Sequence, residues 1–119
     1  MRESEIEKIL VDGVRAEGGK AFKFVSPGND GVPDRIVCLP DGRTVFVELK
    51  TDVGQLRSQQ RIQIAKLRKM QQKVEVVKGL KGLWFFSMAY GMPEQAAKVD
   101  RKKERMEKKN GKERGQTES

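Results

Sequence analysis

Pro33-Asp34, thirteen intervening residues, then Glu48-Leu49-Lys50 bring two carboxylates and an ammonium into one short stretch. The chain has no histidine and a single cysteine, so carboxylate–metal chemistry is its main catalytic option. Carboxylates on neighbouring strands, with Cβ atoms about 5 Å apart, repel each other, and one of them prefers a proton. A divalent ion such as Mg²⁺ or Mn²⁺ removes that conflict, because hard cations take carboxylate and carbonyl oxygens. Asp34 and Glu48 are the expected ligands, with the Leu49 backbone carbonyl as a further one. Such an ion polarises a phosphodiester and lowers the pKa of a bound water. Lys50 beside it can orient or help deprotonate that water and offset phosphate charge. The reaction class this chemistry serves is metal-dependent phosphodiester hydrolysis. A plainer reading makes Asp34 a turn cap after Pro33 and Glu48–Lys50 an ion pair on a solvated strand edge. It explains each piece, but not their shared register.

That register comes from a hairpin. Asp34 to Leu39 and Thr44 to Lys50 read as strands rich in Val, Ile and Phe. Pro40-Asp41-Gly42-Arg43 joins them, and Asp-Gly between apolar runs signals a hairpin turn. With the turn centred near Asp41 or Gly42, Asp34 lies opposite Glu48 to within one residue. Strand alternation points Phe46, Glu48 and Lys50 one way and Val45, Val47 and Leu49 the other, into a core. Upstream, Ile6, Leu10 and Val14 recur at helical spacing until Gly18-Gly19. Ala21 to Val25 alternates like a strand, and Ser26 to Pro33 is a loop dense in turn formers. Downstream, a second helix is expected from about Leu56 to Gln71, a strand at Val74 to Val77, and a closing helix within Leu80 to Tyr90. The order αβββαβ(α) predicts an α/β domain with a mixed sheet flanked by helices.

Further polar residues sit where the pattern calls for apolar ones. Gln60 interrupts the helical stripe Leu56, Ile64, Leu67, Gln71. A buried amide needs partners, which the site lysine, water or a phosphate would supply; the alternative is an amide near the helix start that still reaches solvent. On the first helix Glu3 and Glu7 share a stripe with Leu10 and Val14, and either acid could face the site. Glu7 also fits a capping box, Ser4-Glu5-Ile6-Glu7.

A length of 119 residues bounds the chain to one domain. We expect its regular part at 1–97 and a basic, charged, flexible tail at 98–119, with a solvated helix over Ala96 to Lys109 and disorder from Asn110. The formal net charge is +8. Nine Lys/Arg against five Asp/Glu put +4 of it in the last 22 residues. A basic body suits a polyanion such as nucleic acid. Lone Cys38 excludes an internal disulfide and a cysteine-based zinc site, and its apolar surroundings suggest an inert thiol. No apolar run reaches the roughly 18 residues of a membrane span, and Met1 to Glu5 is no signal peptide. The expected setting is a reducing cytoplasm. Arg35, Arg57, Arg61, Ser26 and Gly28 are candidate phosphate contacts, positioning a DNA backbone without reading sequence. Arg35 could instead pair with an acid. Trp84, Phe85, Phe86, Met88 and Tyr90 either finish the core or supply a homodimer interface.

Gly31-Val32-Pro33-Asp34-Arg35, Val47-Glu48-Leu49-Lys50 and Leu56-Arg57-Ser58-Gln59-Gln60, taken in order, resemble the VRR-NUC family of PD-(D/E)xK, restriction-endonuclease-like nucleases. Glu3-x-x-Ile6-Glu7, Gly18-Gly19 and Lys23 to Gly28 look like its small stand-alone phage members. The resemblance covers about residues 3 to 78. It implies a restriction-endonuclease-like fold, Asp34 and Glu48 as metal ligands, Lys50 as the catalytic lysine and Gln60 as the helix glutamine of the motif. Glu3 or Glu7 would complete the shell of Mg²⁺ or Mn²⁺ directly or through water. It also implies a homodimer acting on branched DNA such as Holliday junctions in a bacterial host, without a nucleotide cofactor. Larger relatives resemble flap-cutting repair nucleases. Leu80 to Tyr90 and the Lys-rich tail match no motif of the family. The rival readings are a module that grips branched DNA without cutting, which the intact Asp34, Glu48 and Lys50 do not favour, a flap or non-specific nuclease, and a sequence-specific restriction enzyme, for which the chain has no room for a large recognition insertion.

Overall fold

The computed structural model describes residues 1–118, with side chains through Gly111. Helix α1 (Glu3–Ala16) is followed by β1 (Lys20–Lys23), β2 (Arg35–Cys38), β3 (Thr44–Lys50), α2 (Ser58–Lys69), β4 (Val74–Lys78), α3 (Gly79–Ala89) and α4 (Pro93–Glu118). The four strands form one mixed sheet in the order β1-β2-β3-β4. β1–β2 and β2–β3 are antiparallel, while β3–β4, joined through α2, is parallel. This is the expected mixed sheet flanked by helices.

Each element has a local cause. Ile6, Leu10 and Val14 of α1 are buried as one stripe. Gly18, at φ 87°, turns the chain out of that helix in the left-handed region glycine adopts freely. Val45, Val47 and Leu49 are fully buried with Val37 and Val77, the core face that alternation predicted. Helix α2 is shorter than expected. Arg57 is extended, at φ −73° and ψ 158°, and Gln71 takes a left-handed φ of 64°, so neither Leu56 nor Gln71 belongs to it.

The closing segment is a helix that splits its aromatics. Leu83 and Phe86 enter the core, while Phe85 (57% exposed) and Met88 (52%) face outward. Helix α4 runs through the boundary expected at residue 97. Met92, Ala96 and Val99 recur at i, i+4, i+7 and are all buried, so the domain reaches at least Val99. Helix α4 continues to Glu118, past Asn110 where disorder was expected; Ser119 lies outside the described residues.

Candidate active site

The β2–β3 register pairs Arg35 with Val47. One residue further it sets Asp34 opposite Glu48, which centres the hairpin on Asp41. The Leu49 N–H donates to Asp34 Oδ2 at 2.7 Å, clamping the aspartate to the end of β3. A strand residue's N–H and C=O point to the same edge, so the Leu49 carbonyl also faces the Asp34 side.

Glu48 is 1% exposed, and the Lys50 side chain beside it is 12% exposed. The Lys50 Nζ stands 3.8 Å from Glu48 Oε1. A solvated edge pair is therefore excluded. Gln60, 7% exposed, donates through Nε2 to Glu48 Oε1 at 2.8 Å. Its own Oε1 accepts the Arg57 N–H at 2.8 Å, so one amide both closes the start of α2 and holds the glutamate. The buried amide finds its partner in the carboxylate itself, not in the lysine or in solvent.

Burial pushes the Glu48 carboxyl up to about 7. The charge of Asp34 adds to the rise, Lys50 opposes it, and Glu3 adds a smaller push. A carboxylate this buried beside another carboxylate is unfavourable as an anion. Among the described residues Glu48 Oε2 has no hydrogen-bond partner, although a buried acceptor normally has one. A hard divalent cation satisfies both conditions, so the donor set fits one. No three Asp, Glu, Cys or His side chains among the described residues converge closely enough to hold an ion by themselves. An ion held here would therefore draw on oxygens beyond the side chains.

The two acids of α1 separate. Glu7 Oε2 accepts from Arg35 Nε at 3.1 Å, and Arg35 Nη1 also donates to the Ala21 carbonyl at 3.1 Å. Arg35 thus takes the pairing role instead of standing free for phosphate. Glu7 is not the acid of a capping box at Ser4, because α1 starts at Glu3 and Glu5 accepts the Arg2 N–H. Glu3 alone of the two acts on Glu48 through its charge.

Beside Asp34 lies an open cleft of about 600 Å³, lined by Phe24 to Ser26, Gly28 to Val32, Asp34, Arg57 and Gln60. Ser26 Oγ accepts from Asn29 Nδ2 at 2.9 Å, which shapes the loop around Gly28. Gly31, at φ 87°, packs so near α2 that a Cβ there would come 2.5 Å from the Gln59 carbonyl carbon. Arg57 reaches Asp30 at 3.6 Å across the cleft mouth and stays 60% exposed. Arg61 is exposed one turn along α2. Phe24 rests on Phe46 with ring centroids 5.7 Å apart. The turn-rich loop pointed to Ser26 and Gly28, but Phe24, Asn29 and Asp30 carried no spacing signal. A second cleft of about 550 Å³, between β4 and α3, holds Asp52 and Glu75 among lysines and apolar groups and lacks the paired carboxylates.

Residues 3–81 match the VRR-NUC domain family. A 50-residue stretch is 62% identical to the protein named "Putative nuclease p44" of Acyrthosiphon pisum secondary endosymbiont phage 1. That stretch is 42% of this chain and 54% of the relative, so the chain spans about half the relative's length. A solved structure described as a VRR_NUC domain superposes with a TM-score of 0.59 at 29% identity, covering 65% of this chain and 83% of that one. No helix among the described residues is long and apolar enough to cross a membrane.

Proposed function

The chain belongs to the VRR-NUC domain family, and from that membership and the geometry of its site we propose that it is a metal-dependent DNA endonuclease. The carrying observation is Glu48, a carboxylate 1% exposed, facing a second carboxylate with one oxygen unpartnered. Asp34, Glu48 and the Leu49 carbonyl would hold Mg²⁺ or Mn²⁺, with Glu3 joining through water. When bound, the ion supplies Lewis-acid polarisation of the phosphodiester and a more acidic water.

The protein's own groups do the rest. Asp34 is fixed by the Leu49 N–H. Gln60 is a positioning residue, holding Glu48 through its amide. Lys50, with its ammonium tied near Glu48, is placed to orient the attacking water and offset charge on the phosphate. Arg57 and Arg61 flank the open cleft and suit backbone phosphates, while the loop from Ser26 to Gly31 brings main-chain N–H groups near.

We take branched DNA such as a Holliday junction as the substrate class and a homodimer as the acting form. Two equal sites about a two-fold axis could cut opposed strands, and outward-facing Phe85 and Met88 offer apolar surface for the contact. A bacterial cytoplasm is the matching setting. The test is a panel of linear, flap, fork and four-way-junction DNAs with Mg²⁺ or Mn²⁺. The reading expects junction cleavage and its loss in Lys50→Ala with DNA binding retained. Cleavage unchanged by Lys50→Ala would discard the assigned site, and binding without cleavage by the unmodified protein would leave a gripping module.

A further inference from the structure

Helix α4 starts on the body and ends off it. Its first turns are anchored by Met92, Ala96 and Val99 and by the bond from Trp84 Nε1 to Asp100 at 3.1 Å. From 101 to 111 every residue is exposed except half-buried Lys102. At 1.5 Å per residue the 26-residue helix is about 39 Å long, within a molecule of 56 × 32 × 20 Å. With Met106 its one large apolar side chain, this largely polar segment is little explained by packing.

Its charges are largely sorted: between residues 98 and 109 Lys103 alone among the cations lies outside the basic side, toward the acids. At 100° per residue Lys98, Arg101, Lys102, Arg105, Lys108 and Lys109 fall within an arc of about 120°. Asp100, Glu104 and Glu107 gather on another face. The basic set therefore contains like-charge neighbours at i, i+3 and i, i+4, which weaken an isolated helix and are relieved by a bound polyanion. Among the described residues none of the six cations forms an ion pair within 4 Å. Four of them, from Lys98 to Arg105, line a groove of about 310 Å³ against α1.

The helix also passes the carboxylate end of the body, with a face other than the basic one turned to it. Lys103, Met106 and Asn110 share a cleft with Met1 and Asp52. Met1 is two residues from Glu3, and Asp52 is two from Lys50. The projecting half of α4 therefore leaves the body at the end of the sheet that carries the carboxylates.

We infer that α4 is an electrostatic arm that lies along the phosphate backbone of a duplex segment of the DNA substrate. The stripe from Lys98 to Lys109 is about 17 Å long, the axial length of about five base pairs. Its contacts position the duplex and carry no sequence information. The inference rests on the nuclease reading for its substrate, but α4 lies outside the residues 3–81 that match the family.

The test measures binding of the full chain to a labelled linear duplex in EDTA, by fluorescence anisotropy across a salt series. Arg101→Gln/Arg105→Gln/Lys108→Gln keeps good helix formers, and circular dichroism monitors the helix. This variant should lower the slope of log affinity against log salt by about two to three, and affinity on the order of tenfold or more. Glu104→Gln/Glu107→Gln should bind as tightly as the unmodified protein or tighter. Arg101→Lys/Arg105→Lys/Lys108→Arg should restore binding. An unchanged slope and affinity in the glutamine variant, or loss in the charge-retaining one, overturns the arm. Cleavage assays run separately with Mn²⁺ tell the two readings apart. An inert protein whose binding still depends on the stripe sinks only the nuclease, while a cutting protein indifferent to the stripe sinks only the arm.

Discussion

At the residue scale the decisive group is Glu48, and its pH behaviour is a direct consequence of burial. Its folded-state pKa, raised to about 7 from 4.5, means the folded protein holds this proton more tightly than the unfolded chain. The contribution is therefore fully present below about pH 4.5 and is lost as pH rises through about 7. In EDTA at pH 8 Glu48→Gln should melt higher than the unmodified protein, by at most about 3 kcal/mol of unfolding free energy. An equal or lower melting temperature at pH 8 would refute the strained carboxylate. Gln60 acts one step behind it. Gln60→Leu removes the donor to Glu48 Oε1 and should weaken Mn²⁺ binding, followed by calorimetry, about 10- to 100-fold. Unaltered Mn²⁺ affinity would reduce Gln60 to a helix cap.

At the element scale the hairpin and the loop beside it do the positioning. β3 spans Thr44–Lys50, the span read from its alternating apolar residues, and the Asp41-centred turn was readable because Asp-Gly marks it. The separation of Glu3 from Glu7 was not readable. It depends on Arg35, which reaches across from β2 to Glu7, and helical periodicity contains no such tertiary contact. The partner of Gln60 was hidden for the same reason. The loop's dependence on Gly31 is testable. Gly31→Ala places a Cβ against the α2 backbone at φ 87° and should lower stability by about 1–3 kcal/mol. It should also reduce cleavage beyond what the remaining folded fraction explains. Full stability and activity in Gly31→Ala would mean the loop–helix contact does not shape the cleft.

At the scale of the whole molecule α3 and α4 extend the fold beyond the family match. The charged composition past Pro93 hid a short apolar stripe, Met92, Ala96 and Val99, because three residues among so many lysines give little periodicity. Val99→Ala should therefore destabilise the protein by about 1–2 kcal/mol in denaturant unfolding, whereas a solvated tail would show no change. The paired carboxylates, the lysine and the basic arm all belong to one proposed activity, hydrolysis of DNA beside a divalent ion. The most direct test of that activity is a single-turnover reaction of a labelled four-way junction with Mn²⁺, comparing the unmodified protein with Asp34→Ala. The expected result is a cut junction with the unmodified protein and, with Asp34→Ala, an intact junction that is still bound. Cutting by Asp34→Ala at the unmodified rate would contradict it.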